Sequence, residues 1–122
     1  MSRVRRALAT VLTFAMIAIA ITGVRAAELT FVLRIENGRV LENVRLIRVT
    51  QGDVVRLQWR SDRRVTLHLH GYDIEKVVAL GTVTYLMFTA NATGRFPINL
   101  HNDNADGHGH EEALVYLEVF PR

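Results

Sequence analysis

The chain has 122 residues, five histidines and no cysteine. Two of the histidines share the stretch Leu67-His68-Leu69-His70-Gly71-Tyr72-Asp73; the others, His101, His108 and His110, form a second cluster further on. Alternate residues of a β-strand point to the same face, so a strand through this stretch presents His68 and His70 as two imidazoles side by side. A divalent transition metal takes such nitrogen pairs but needs one or two further donors. The second cluster offers three imidazoles, with Asp103, Asp106, Glu111 and Glu112 as oxygen donors nearby. The chemistry expected is therefore metal coordination, weakening as pH falls because protons compete for the same nitrogens. An isolated His-x-His pair is commonly no more than two solvated side chains, and a glycine-containing loop such as 102–112 is commonly solvated too. The confinement of every histidine to two segments is what argues for a site.

Other chemistries are weakly represented. Asn102-x-Asn104-x-Asp106-Gly107 imitates the start of a calcium-binding loop, but the twelfth position is Ala113 rather than Glu and no helices flank it. There is no Ser-His-Asp grouping, P-loop or dinucleotide fingerprint, and without cysteine there is no thiol chemistry. Asn91-Ala92-Thr93 matches a glycosylation acceptor only in the setting of a eukaryotic secretory pathway.

The elements that must position the histidines read as β throughout. Strands are expected over 29–35, 39–41, 44–49, 54–59, 65–70, 74–78, 82–89, 95–100 and 114–120. Asn37-Gly38, Gln51-Gly52-Asp53 and Asn91 to Gly94 supply turns between them, and Ser61 to Arg64 a polar loop. Val55, Leu57 and Trp59 alternate with Arg56 and Gln58, as a half-buried strand requires. Trp59, Tyr85, Phe88 and Phe96 are expected in the core. No segment beyond the first 26 residues has helical periodicity, so the class is all-β, a sandwich or barrel. The long irregular stretch 102–112 is where function is expected, as is common for long loops in small domains.

Residues 1–26 are expected to be a secretory signal peptide. Arg3, Arg5 and Arg6 precede an apolar run from Ala7, and Val24-Arg25-Ala26 supplies small residues at a cleavage point. The domain is then 27–122, periplasmic or secreted, with no stable membrane association after cleavage. The leader holds four basic residues (Arg3, Arg5, Arg6, Arg25) and no acidic ones, so the formal charge of +3 falls to −1 for the remainder (3 − 4). The basic balance that points to nucleic acid disappears with it. One small domain without disulfides must rest on a compact apolar interior, helped by a bound metal.

Several motifs together resemble the cupredoxins. Val49-Thr50-Gln51-Gly52-Asp53-Val54-Val55-Arg56-Leu57 resembles the strand–turn–strand ahead of that family's first copper ligand, and His70-Gly71-Tyr72-Asp73 resembles the ligand histidine at the end of the next strand. Gly94 to His101 is similar to the penultimate strand leading into the ligand loop, and Leu114 to Phe120 to the last strand. The resemblance implies a Greek-key β-sandwich or barrel and a copper cofactor. It also marks a departure, since Leu100 takes the position of the family's cysteine, and Met87, the one methionine after the leader, lies in another strand. Blue copper requires the thiolate, so the electron-carrier task is not expected. A nitrogen or nitrogen–oxygen set suits Cu(II), with zinc as the other metal.

The expected function is thus non-enzymatic. The protein binds Cu(II) through His68, His70, His101 and His108 or His110, for sequestration, delivery or sensing, with a metal donor or acceptor protein as partner. A small cupin-like metalloenzyme, for which Glu75 follows the His-x-His pair, a superoxide-dismutase-like enzyme and a metal-free interaction module are the alternatives.

Overall fold

The computed structural model describes residues 20, 23, 25–101 and 112–122. Most of the expected leader lies outside them, as does the stretch carrying Asp103, Asp106, His108, His110 and Glu111. The described residues form eight strands: β1 (Glu28–Ile35), β2 (Leu46–Thr50), β3 (Val54–Ser61), β4 (Val65–Leu69), β5 (Ile74–Val78), β6 (Thr84–Thr89), β7 (Gly94–His101) and β8 (Ala113–Phe120). One short 3-10 turn covers Glu42–Val44. The strands make two sheets, ordered β1-β3-β6 and β2-β8-β7-β4-β5. β1 runs parallel to β3 and β2 parallel to β8, while the other pairs are antiparallel.

The all-β expectation holds, and the reason is visible strand by strand. The alternation in β3 turns Val55, Leu57 and Trp59 inward, each 0% exposed. They meet Leu33, Ile35, Leu86 and Phe88 of the same sheet, and Leu67, Leu69, Ile98, Val115 and Leu117 of the other, in one apolar cluster. Burial of this kind contributes roughly 1.5–3 kcal/mol per large side chain, and it is the interior on which a chain without disulfides depends.

Two expectations fail for identifiable reasons. Asn37-Gly38 does turn the chain, with φ of 52° and 74° and a bridge between Glu36 and Arg39. No strand follows at 39–41, because β1 is paired in parallel with β3 rather than with the segment after the turn. The chain passes through the 3-10 turn before β2 begins at Leu46. Tyr85, expected inside, is 47% exposed. Leu86 and Phe88 take the inward phase of β6, and the Arg56 guanidinium lies 5.9 Å from the Tyr85 ring centroid on the outside. Phe96, by contrast, is half-buried against the core.

The β2–β3 turn is held by one carboxylate. Asp53, 4% exposed, accepts from the Thr50 N–H at 2.9 Å and the Ala27 N–H at 3.1 Å, and from Arg122 Nη2 at 2.6 Å. The Thr50 N–H, then the Ala27 N–H and the Arg122 guanidinium, hold its pKa below the ordinary value against the opposing effect of burial. Among the described residues no helix is long and apolar enough to cross a membrane.

Candidate metal centre

β4 lies between β5 and β7, and its register decides what surrounds each histidine. Leu67 and Leu69 point into the core, so Thr66 and His68 take the opposite, solvent-side face. His68 stands directly across from Asn99 of β7 and from Glu75 of β5. His70 lies one residue past the end of β4, where its N–H donates to the Pro97 carbonyl at 3.1 Å. Its ring returns over that of His68, with centroids 4.1 Å apart and planes inclined at 49°. Both side chains are half-buried. Asn99, 8% exposed, brings its Nδ2 within 3.3 Å of His70 Nε2.

His101 closes β7 and is exposed. It pairs with Thr66, so it shares the face of His68 and stands diagonally from it. Diagonal neighbours on antiparallel strands sit about 7–8 Å apart. His70 is at the other end of β4, some four residues from the level of His101, or roughly 13 Å at the strand rise. The structure therefore brings His68 and His70 together, places His101 one diagonal step from His68, and keeps His70 away from His101. Among the described residues no group of three or more His, Cys, Asp or Glu side chains is close enough to hold a metal ion. His108 and His110 lie outside those residues. Glu112, expected among the oxygen donors, is instead engaged by Arg45 Nη2 at 3.4 Å.

The Gly71-Tyr72-Asp73 part of the motif is structural. Gly71 has φ +84°, and a Cβ there would run into the Phe96 ring, so the turn after the histidines accepts only glycine without strain. Tyr72 anchors the turn. Its ring packs 5.0 Å from those of Phe88 and Phe96, and its hydroxyl donates to the Ala92 carbonyl at 2.8 Å and accepts from the Ala92 N–H at 3.1 Å. Burial raises the Tyr72 pKa, opposed by the Ala92 contact. Asp73 adopts φ 51°, a left-handed conformation that Asp tolerates better than most residues. Asn99 is the residue that the sequence reading missed. The signal was available, since it lies two positions before His101 and so shares its face, but only the β4–β7 register shows which histidine it meets.

Neither a family model nor a curated protein matches the sequence. Solved structures do match by shape. A copper nitrite reductase from Nitrosomonas europaea superposes with a TM-score of 0.63 at 17% identity, over 78% of this chain and 42% of that one. A multicopper oxidase, mgLAC, gives 0.61 at 21%, over 79% and 40%. A copper binding protein solved in solution in its apo form gives 0.59 at 11%, over 78% and 90%. The fold is cupredoxin-like. The chain spans only about two-fifths of the length of the first two neighbours, and at these identities the likeness is one of fold alone.

Within this cupredoxin-like frame, the donor set can be tested against copper. Leu100, at the position the resemblance gives to a thiolate, pairs with Leu67 and packs against the core. Met87 is 51% exposed on β6, in the other sheet. A thiolate–thioether site therefore does not fit these residues. Two adjoining imidazoles on a solvent-side face fit part of a nitrogen-donor site, with His101 on the same face and Glu75 across from His68 in register.

Proposed function

We propose that the chain is an exported copper-binding protein that holds Cu(II) on nitrogen donors rather than on a thiolate. His68 and His70 are its anchoring pair, with the remaining donor drawn from His101, His108 and His110. The observation that carries this reading is the contact of the two imidazoles, 4.1 Å between centroids, on the outer face of a cupredoxin-like sheet. The copper proteins among the structural neighbours support the choice of metal. When bound, copper would supply a tightly held, weakly coloured centre, and the chain's own residues would orient the imidazoles and compete with protons for them. Such a protein sequesters, delivers or senses copper, and it exchanges the ion with a donor or acceptor protein in the exported compartment.

The test is Cu(II) titration followed by electron paramagnetic resonance on the wild-type protein and on His68→Ala, His70→Ala and His101→Ala. A nitrogen-rich signal lost or displaced in the first two variants supports the proposal; spectra unchanged in both defeat it. The export part is checked separately by the mass of the protein recovered from an exporting cell. It should begin at Ala27, and a full-length, membrane-retained product contradicts the leader.

A further inference from the structure

Three donors converge on Asp53, and one of them is the backbone nitrogen that the expected leader cleavage would set free. The Ala27 nitrogen lies 3.1 Å from Asp53 Oδ1, and Arg122 Nη2 lies 2.6 Å from the same oxygen. The Thr50 N–H donates to Oδ2 at 2.9 Å. Ala27 is also where the grip of the fold begins. Its carbonyl accepts from the Val54 N–H at 2.9 Å, and β1 starts at the next residue. Arg25 and Ala26, on the other side of the cut, are exposed, and the Arg25 carbonyl lies 3.5 Å from Arg122 Nη1. Hydrolysis of the Ala26–Ala27 amide by a leader protease consumes one water. Ala26 keeps the carboxylate; Ala27 keeps the nitrogen, which takes up a proton and is an ammonium at neutral pH.

We propose that this new α-ammonium docks on Asp53 as its second cation, so that the processed terminus becomes a fixed part of the fold. The docking presupposes the export reading above and is independent of copper. The nitrogen already stands at ion-pair distance, so nothing has to move. Asp53 is 4% exposed, whereas Ala27 is exposed. The ammonium therefore keeps its other hydrogens in water, which spares it the cost of burial. A charge-assisted contact replaces a neutral amide one. The other charged neighbours are Arg122, which shares Asp53, and Glu28, which is engaged by Arg56 at 3.4 Å.

The test uses protein recovered from an exporting cell. Its mass must show a start at Ala27; a start elsewhere overturns the proposal together with the expected cut. Lys76 is the one lysine of the chain and is exposed, so the α-amine and Lys76 are the two amines of the processed protein. Competitive acylation across pH, read by mass spectrometry, resolves them with Lys76 as the internal reference. The Ala27 amine should titrate above the ordinary α-amino range of about 7.7–8.0, return to it in Asp53→Asn and stay raised in Glu28→Gln. An ordinary midpoint in the wild type, a raised one unchanged by Asp53→Asn, or one restored by Glu28→Gln overturns the proposal and leaves the export reading intact. Should Asp53→Asn fail to fold, the wild type and Glu28→Gln still decide. Melting temperature gives a second readout. With the folded-state value raised, the stabilisation is complete below the ordinary range and lost as pH rises through the raised value. The wild-type lead in melting temperature over Asp53→Asn should shrink across that interval; a constant lead overturns the proposal.

Discussion

Gly71 joins the chemistry of the pair to the architecture beneath it. Its φ of +84° and the Phe96 ring against its α-carbon mean that any side chain there is strained and displaced at once. Gly71→Ala should lower the unfolding free energy by about 2–4 kcal/mol, from the left-handed backbone and the overpacking together. Because His70 is the preceding residue, the same substitution should also weaken Cu(II) binding. Urea denaturation and copper titration of one preparation check both effects. A variant as stable as wild type would show that the turn relaxes freely. Tyr72→Phe is the milder counterpart. It keeps the ring contacts with Phe88 and Phe96 and loses only the hydroxyl contacts to Ala92. A cost of about 1 kcal/mol in the same denaturation measurement is expected, with copper affinity little changed, since the backbone of the turn is not altered.

At the scale of the strand, register matters more than residue identity. Thr66 stands directly opposite His101 and shares the face of His68, so Thr66→His would put a third imidazole between two existing ones. Directly opposed Cβ atoms are about 4.5–5.5 Å apart, against the longer diagonal now separating His68 from His101. Cu(II) should bind at least about tenfold tighter in Thr66→His, with additional nitrogen coupling in its paramagnetic resonance spectrum, as expected of an added imidazole donor. An unchanged affinity would mean that His101 is not turned toward β4. The same register explains what could and could not be read in advance. The alternation in Val54 to Trp59 and in Val65 to Leu69 was legible because burial on one side of a strand writes a period of two into the residues. That His68, rather than His70, is the neighbour of His101 was not legible, since it depends on how β4 and β7 slide past one another across some thirty intervening residues. The strand expected at 39–41 failed similarly. A good hairpin turn specifies local direction, whereas the parallel pairing of β1 with β3 is decided by the core. Tyr85 was misplaced because a strand of Thr, Tyr, Leu, Met and Phe offers apolar residues in both phases, and only packing chooses Leu86 and Phe88.

Across the whole molecule, an interior without cysteine links relies on apolar packing and on a few buried polar contacts. Asp53 is one of these, with Thr50, Ala27 and Arg122 all donating to one carboxylate. Removing it leaves two backbone donors and a guanidinium without their acceptor. Asp53→Ala should therefore cost about 2–3 kcal/mol at neutral pH, in the range of hydrogen bonds to charged groups. The sign of the pH dependence follows from the direction of the shift. The folded-state pKa of Asp53 is lowered, so the folded protein binds this proton less readily than the unfolded chain does. The stabilisation is fully present above the unfolded value of about 3.9 and is lost as pH falls through the lower, folded one. Wild-type stability should accordingly drop in acid more steeply than that of Asp53→Ala, and the gap between them should narrow as the carboxylate is protonated. Denaturant unfolding of both proteins at neutral pH and in acid measures this directly. A gap that stays constant would assign the cost to lost packing and not to the ionised group. The histidine face should respond to the same acidification separately, because protons there displace metal and leave the core contacts in place. Comparing the metal-free and copper-loaded proteins over that range separates the two: the Asp53 contribution is present in both, whereas stabilisation by copper is present only in the loaded protein.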